Sequence, residues 1–247
     1  MNVKKDEISG NALPIAVLIL CCIAFLLLSY LSYDRIGRFA STLADEAPRT
    51  VVLDAGHGGE DGGASGKSGV PEKQINLAIT KDLEQLLTAS GYRVVMTRED
   101  DTATADDDLD SIRKRKTSDL HNRLKLIEKQ GSCIFISIHQ NFFPQSQYDG
   151  TQIFYSTNNG KSKDLAEDIR ARVVGLLQKD NRRQTKPATS SIYLLWQAKV
   201  PAVLVECGFL SNAAEESKLN RPDYQRQIAF AVYCGFLDYC AGVRQPA

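Results

Sequence analysis

Three short apolar runs limit what this chain can fold into. Thr50-Val51-Val52-Leu53-Asp54, Cys133-Ile134-Phe135-Ile136-Ser137-Ile138 and Ala202-Val203-Leu204-Val205 are rich in β-branched residues and too short for globular helices. The second is almost continuously apolar, which suits a strand buried on both faces. Between these runs the period changes. Ile75, Ile79, Leu83 and Leu86 recur at helical spacing, with Pro71 at a first-turn position and Gly91 closing the segment. Leu120, Leu124 and Ile127 mark a second helix, Leu165, Ile169, Val173 and Leu176 a third, and residues 224–239 a C-terminal one. Tyr92–Thr97 and Thr151–Ser156 read as further strands. Strands alternating with helices predict an α/β fold. It would be a mostly parallel twisted sheet with helices on both faces, in a single domain over residues 50–242.

The N-terminus has a different character. The 22 residues from Ala12 to Tyr33 carry no charge. As a helix rising about 1.5 Å per residue they are long enough to span a bilayer. Lys4 and Lys5 precede the run, and Asp6 and Glu7 count little in the positive-inside rule, so the N-terminus is read as cytoplasmic and the remainder as outside. A cleaved signal peptide is the rival reading. It would have an apolar core of roughly 7–15 residues followed by a small-x-small site. Here the core is longer, and Ser29-Tyr30-Leu31 makes no such site. A buried core helix is the other alternative, opposed by a run that is apolar all round at the very N-terminus. The expectation is a cytoplasmic N-terminus and uncleaved signal-anchor transmembrane helix over residues 1–35, then a polar linker over 36–49.

Charge and cysteine exclude several classes. Lys+Arg and Asp+Glu number 30 each, so no basic field exists to hold nucleic acid as the main partner. With 24% charged and 43% hydrophobic residues, global disorder is excluded. Six cysteines include no C-x-x-C pair, which rules out a Cys-rich zinc ribbon, and Cys133 and Cys207 are expected as buried free thiols. Between Ala103 and Lys116 an acidic block (Asp106, Asp107, Asp108, Asp110) meets a basic one (Arg113 to Lys116), a pattern that reads as a solvated loop.

The chemistry lies where the apolar runs end. Of three histidines, His57 stands just beyond the first run and His139 just beyond the second, while Glu206 follows the third. The C-terminal ends of parallel strands open on one edge, where open α/β proteins place their sites. Glu72, at the start of the first helix, returns to that edge. Two imidazoles and two carboxylates there match a catalytic zinc site, in which three side chains hold the metal and a fourth position holds water. Each residue also has a plainer reading. His121, within a helix, is an ordinary surface histidine. Glu206 could serve a structural salt bridge to Arg98 or Arg123, because a carboxylate after Val203-Leu204-Val205 is costly to bury unpaired. The glycines around His57 also suggest half of a dinucleotide loop. That fits badly, since Glu60 and Asp61 would repel pyrophosphate and the helix starts only near Glu72.

These segments carry a family resemblance. Val51 to Ala64 (VVLDAGHGGEDGGA) resembles the opening motif of the zinc-dependent N-acetylmuramoyl-L-alanine amidases of the Amidase_3 type. Glu72 in Val70-Pro71-Glu72-Lys73 matches that family's glutamate ligand. Ser137-Ile138-His139 matches its second histidine motif, and Pro201 to Asn212 (PAVLVECGFLSN) its catalytic-glutamate motif. The similarity runs from Thr50 to Cys240. The anchor, the compact size and the lack of wall-binding repeats resemble the sporulation branch, the germination-specific amidases. The resemblance implies that His57, Glu72 and His139 hold Zn²⁺ and that Glu206 is the general base. The bond cut is the amide between N-acetylmuramic acid and L-alanine in peptidoglycan, a step preceding muramic-δ-lactam formation in spore cortex. It further implies action outside the cytoplasm, in the cell envelope or the forespore intermembrane space, and an accessory sporulation lipoprotein as partner. Two departures stand out: Gln140 replaces a small residue and is expected to alter the pocket wall, and Cys207 replaces an apolar one. A zinc peptidase acting on stem peptides and a non-catalytic wall-binding protein are the competing readings. The second would be marked by a lost ligand, and none is lost.

Overall fold

A computed structural model describes residues 15, 17–30 and 49–243 of the chain. Six strands form one sheet: β1 (Thr50–Ala55), β2 (Arg93–Met96), β3 (Ile134–Asn141), β4 (Gln152–Tyr155), β5 (Lys186–Pro187) and β6 (Ala202–Phe209). Their spatial order is β2-β1-β3-β6-β4-β5. β1, β2, β3 and β6 run parallel, β4 is antiparallel to β6, and β5 pairs parallel with β4. The expected mostly parallel α/β sheet is therefore present, with one reversed strand. β4 follows β3 after a short excursion too brief to carry a crossover helix, so it returns in the opposite direction.

Helices cover both faces: α2 (Glu72–Ala89), α3 (Ile112–Lys129), α4 (Lys161–Leu176), α5 (Tyr193–Gln197), α6 (Ala213–Leu219) and α7 (Pro222–Ala241). Strand alternation sorts side chains between two cores. Val51, Leu53, Ile134, Ile136, Ile138, Val203 and Val205 pack against α2, α4 and α7. Val52, Phe135, Ala202 and Leu204 pack on the other face with Ile127 of α3 and Leu194 and Leu195 of α5. On α2 the buried residues Ile75, Ile79, Leu83 and Leu87 form one stripe. α7 begins with Pro222 in its first turn and ends at Gly242 in the left-handed region (φ 65°), where a residue without Cβ is least strained. At Gly235 α7 approaches α4 closely, and a Cβ there would lie 2.3 Å from the Ile169 Cα. Pro71 is the extended N-cap of α2 (φ −74°, ψ 143°), one place outside the anticipated first turn.

The charge block divides. Its acidic half stays in the loop, while Arg113 to Lys116 belong to the first turns of α3 and Ser111 caps that helix by accepting from the Lys114 N–H. The anticipated solvated loop is thus only half of that segment. Cys133 and Cys207 are buried free thiols, as expected.

The described residues fall into two units, with the α/β unit beginning after residue 47. In the first, residues 17–30 form a helix (α1) whose apolar side chains are exposed. Among the described residues no helix is long and apolar enough to cross a membrane. Residues 12–14, 16 and 31–33 of the anticipated span, and 36–48 of the anticipated linker, lie outside the described residues.

Candidate active site

β1 delivers His57 through a glycine turn. Gly56 bonds its N–H to the Ile138 carbonyl of β3 at 3.1 Å, extending the ladder by one residue. His57 then takes φ 65°, an uncommon conformation outside glycine, at a place where backbone strain accompanies function. The glycines supply room. A Cβ on Gly56 would lie 2.2 Å from the His139 ring, and one on Gly63 2.6 Å from Glu72 Oε2 and 2.7 Å from the His57 ring. The loop also satisfies the start of α2: the Ala64 carbonyl accepts from the Glu72 N–H (2.8 Å) and the Gly62 carbonyl from the Lys73 N–H (3.2 Å). Glu72 is thereby held, buried, at the helix N-terminus, where a carboxylate is favoured.

His57, Glu72 and His139 come together as expected, each offering a ligand atom within 4.8 Å of the others. Glu72 Oε1 lies 3.3 Å from His57 Nε2 and 3.0 Å from His139 Nδ1. It also accepts from the Gln140 N–H at 3.0 Å and from Asn76 Nδ2 at 3.2 Å, while Oε2 accepts from the Ala64 N–H at 2.9 Å. Burial would raise the Glu72 pKa, but the two imidazoles outweigh it and hold the group well below the carboxylate range. Burial likewise depresses His57, yet the carboxylates of Asp61 and Glu72 raise it to about 9. Positive charge at this point is therefore favoured, and a cation can replace the protons. Imidazole nitrogen with carboxylate oxygen is a donor set suited to Zn²⁺.

His139 and Glu206 do not stand beyond their strands. β3 and β6 continue past the apolar runs, and the two residues face each other as a cross-strand pair. Among the described residues Glu206 makes no salt bridge. Arg98 donates instead to the carbonyls of Ala55, Gly56, Lys73 and Asp100. Arg123 pairs with Asp54 (2.6 Å) and Asp119 (2.8 Å). Glu206 Oε2 is buried without a hydrogen-bond partner among the described residues, an unusual state for a carboxylate oxygen in a finished fold. Desolvation pushes its pKa up to about 7, against the nearby His139. His121 is exposed and only rests against the Tyr193 ring (5.4 Å), as an ordinary surface histidine does.

Two residues of the site escaped the sequence reading. Asp61, treated there only as a charge that would repel phosphate, accepts from His57 Nδ1 at 2.9 Å and leaves Nε2 directed at Glu72. Asn76 bridges Glu72 Oε1 and the Gly56 carbonyl. Asn76 lies one helical turn after Glu72 on α2, a spacing that could have flagged it, whereas Asp61 lies in the glycine loop, where no periodicity points to it. Strand alternation turns Gln140 to the face opposite His139, where it is buried and bonds Asn76 Oδ1 at 3.1 Å.

His57, Glu72 and His139, which could hold a metal ion, thus lie at the carboxyl edge of a mostly parallel sheet with the Glu206 carboxylate opposite His139. Residues 51–237 match the family described as N-acetylmuramoyl-L-alanine amidase, and the chain belongs to that family. It is 35% identical over 191 residues to the germination-specific N-acetylmuramoyl-L-alanine amidase of Bacillus subtilis, covering 77% of this chain and 79% of that one. Among solved structures it is similar to the CwlD amidase of Clostridioides difficile in complex with the GerS lipoprotein (42% identity, TM-score 0.74, 77% of this chain and 97% of that chain). The amidase AmiC2 of Nostoc punctiforme is also similar (28% identity, TM-score 0.65, 78% and 98% covered).

Proposed function

We propose that the chain is a zinc-dependent peptidoglycan amidase in which His57, Glu72 and His139 hold the metal and Glu206 is the general acid–base. The observation that carries this reading is the Glu206 carboxylate, opposite His139 with Oε2 unpartnered. When bound, zinc acidifies a water molecule and polarises the scissile carbonyl. Glu206 takes a proton from the attacking water and delivers it to the nitrogen of the departing L-alanine. Its buried Oε2 and its place opposite His139 support that role. Asp61 fixes the His57 ring, and Asn76 fixes the Glu72 carboxylate.

The apolar run from Ala12 to Tyr33 supports a membrane anchor, with the enzyme working outside the cytoplasm where peptidoglycan lies. Likeness to a germination-specific amidase supports a spore-cortex substrate and muramic-δ-lactam formation, and the CwlD–GerS complex supports an accessory lipoprotein as partner. Digestion of purified peptidoglycan with the metal-loaded chain tests the activity: new amino-terminal L-alanine is expected, and other new amino ends would make it a peptidase. His139→Ala should lose both zinc and hydrolysis, read by metal analysis and amino-end release. Full cleavage by a metal-free preparation would end the zinc reading.

A further inference from the structure

Beyond Glu206 the same face of the sheet continues outward. An irregularity between His139 and Asn141 brings Phe209 into register with Asn141, so Phe209 shares the face that carries His139 and Glu206. Gln152, the β4 partner of Glu206, donates from Nε2 to the Gln184 carbonyl at 2.6 Å and ties the segment around Gln184 to this edge. The guanidinium of Arg183 lies over the Phe209 ring, 4.6 Å from its centroid, and 5.6 Å from that of Tyr148. Its Nε donates to the Asp149 carbonyl at 2.7 Å, and its backbone N–H to Asn181 Oδ1 at 2.9 Å. Phe209 is itself buried, so the platform is fixed. Among the described residues no hydrogen bond or ion pair engages either Nη of Arg183.

We propose that Arg183 is a specificity residue that receives a free carboxylate of the substrate's peptide, one residue beyond the alanine released. The inference rests on the amidase reading. A guanidinium stacked on an aromatic ring, anchored through Nε and left with both Nη open, is preorganised for a bidentate carboxylate. A side chain serving only to pack on Phe209 would have no need of the Nε anchor that fixes its plane. The reach also fits. Phe209 is three residue steps along the strand from Glu206, at most about 10 Å at ~3.3 Å per step. An extended peptide advances ~3.3–3.6 Å per residue, and the guanidinium and carboxylate side groups close the remainder. In stem peptides the residue after L-alanine is a glutamate joined through its side chain, which leaves its α-carboxyl free at that distance.

The test uses the full zinc-loaded chain and two muramoyl-peptides, one with that α-carboxyl free and one with it converted to the amide. The wild type should prefer the free acid in kcat/KM by about tenfold to a hundredfold, the share of a charge-assisted hydrogen-bond pair, with the difference in KM. Arg183→Met should collapse the preference toward one. Arg183→Lys should keep part of it, because the charge remains while the planar fork is lost. Equal use of the two substrates by the wild type, or a preference retained in Arg183→Met, overturns the proposal. Cleavage of the amidated substrate upholds the amidase reading whichever way that comparison falls, so the two can fail separately.

Discussion

Val51 and Leu53 of β1 face α2, α4 and α7, while Asp54 on the same strand faces α3. On the first side the packing is apolar and continuous, with Ile79, Leu83, Ile169, Ile228 and Phe236 all at 0% exposure. On the second, the smaller apolar cluster ends toward the site in a buried polar network. Arg123, 2% exposed, donates to Asp54, to the Ala55 and His57 carbonyls and to Asp119. Asp54 also accepts from Ser137 and Thr97. Apolar contact is non-directional and tolerates small shifts, whereas a charge with several fixed donors permits only one arrangement. The first face stabilises the sheet. The second aims its edge, since Arg123 holds the backbone on both sides of Gly56 and so fixes where the His57 ring points.

Four changes separate the two roles. The largest is Glu206→Gln on the α3 side, expected to lower turnover by roughly 10²–10⁴ while zinc content and melting temperature stay near wild type. A stability loss with near-normal turnover would return Glu206 to a structural role. Next comes Arg123→Met, which leaves Asp54 as an unpaired buried charge. It should cost about 3–5 kcal/mol in denaturant unfolding, and the folded fraction should also bind zinc less tightly. Unchanged zinc affinity would break the claim that this network aims His57. Leu83→Ala on the α2 face should cost about 2–5 kcal/mol of stability while the folded fraction keeps its specific activity. A fall in specific activity there would show that the apolar face also positions the site.

The smallest effect is in pH. Arg123 and its partners overcome the burial of Asp54 and hold its pKa at about 2 instead of 3.8. A depressed carboxyl stabilises the fold above its unfolded value and loses that contribution as pH falls through the folded one. On the order of 2 kcal/mol should disappear between about pH 4 and pH 2. Unfolding curves of wild type and Asp54→Asn across that range would measure it, and parallel curves would place the acid sensitivity elsewhere.

Much of this architecture was legible because each signal was local. Strand runs at 50–54, 133–138 and 202–205 announced themselves through β-branching, and α2, α3 and α4 through their apolar spacing. His57, Glu72 and His139 could be brought together from the parallel-sheet rule alone. What escaped depends on partners distant in sequence. A run such as Thr151–Ser156 reads the same in either direction, so the reversal of β4 could not be seen. The continuation of β3 and β6 through His139 and Glu206 breaks the apolar pattern, because a polar pair stands there. α5 and α6 are too short to show a period. Arg123 read as a candidate partner for Glu206, and only the fold reveals that it is buried against Asp54 instead.

The strand order also sets a sequence of events for a chain made from its N-terminus. β3 and β4 follow one another in the chain yet do not pair, because β6 lies between them. His57, Glu72 and His139 have all been synthesised by residue 139, whereas the carboxylate at 206 arrives with the last strand in the chain. A nascent or truncated product ending before β6 therefore has His57, Glu72 and His139 in its sequence but lacks both Glu206 and a central strand of the sheet. The edge of the sheet that carries His139 thus gains its neighbour, and the carboxylate opposite that ring, only when nearly the whole chain has been made.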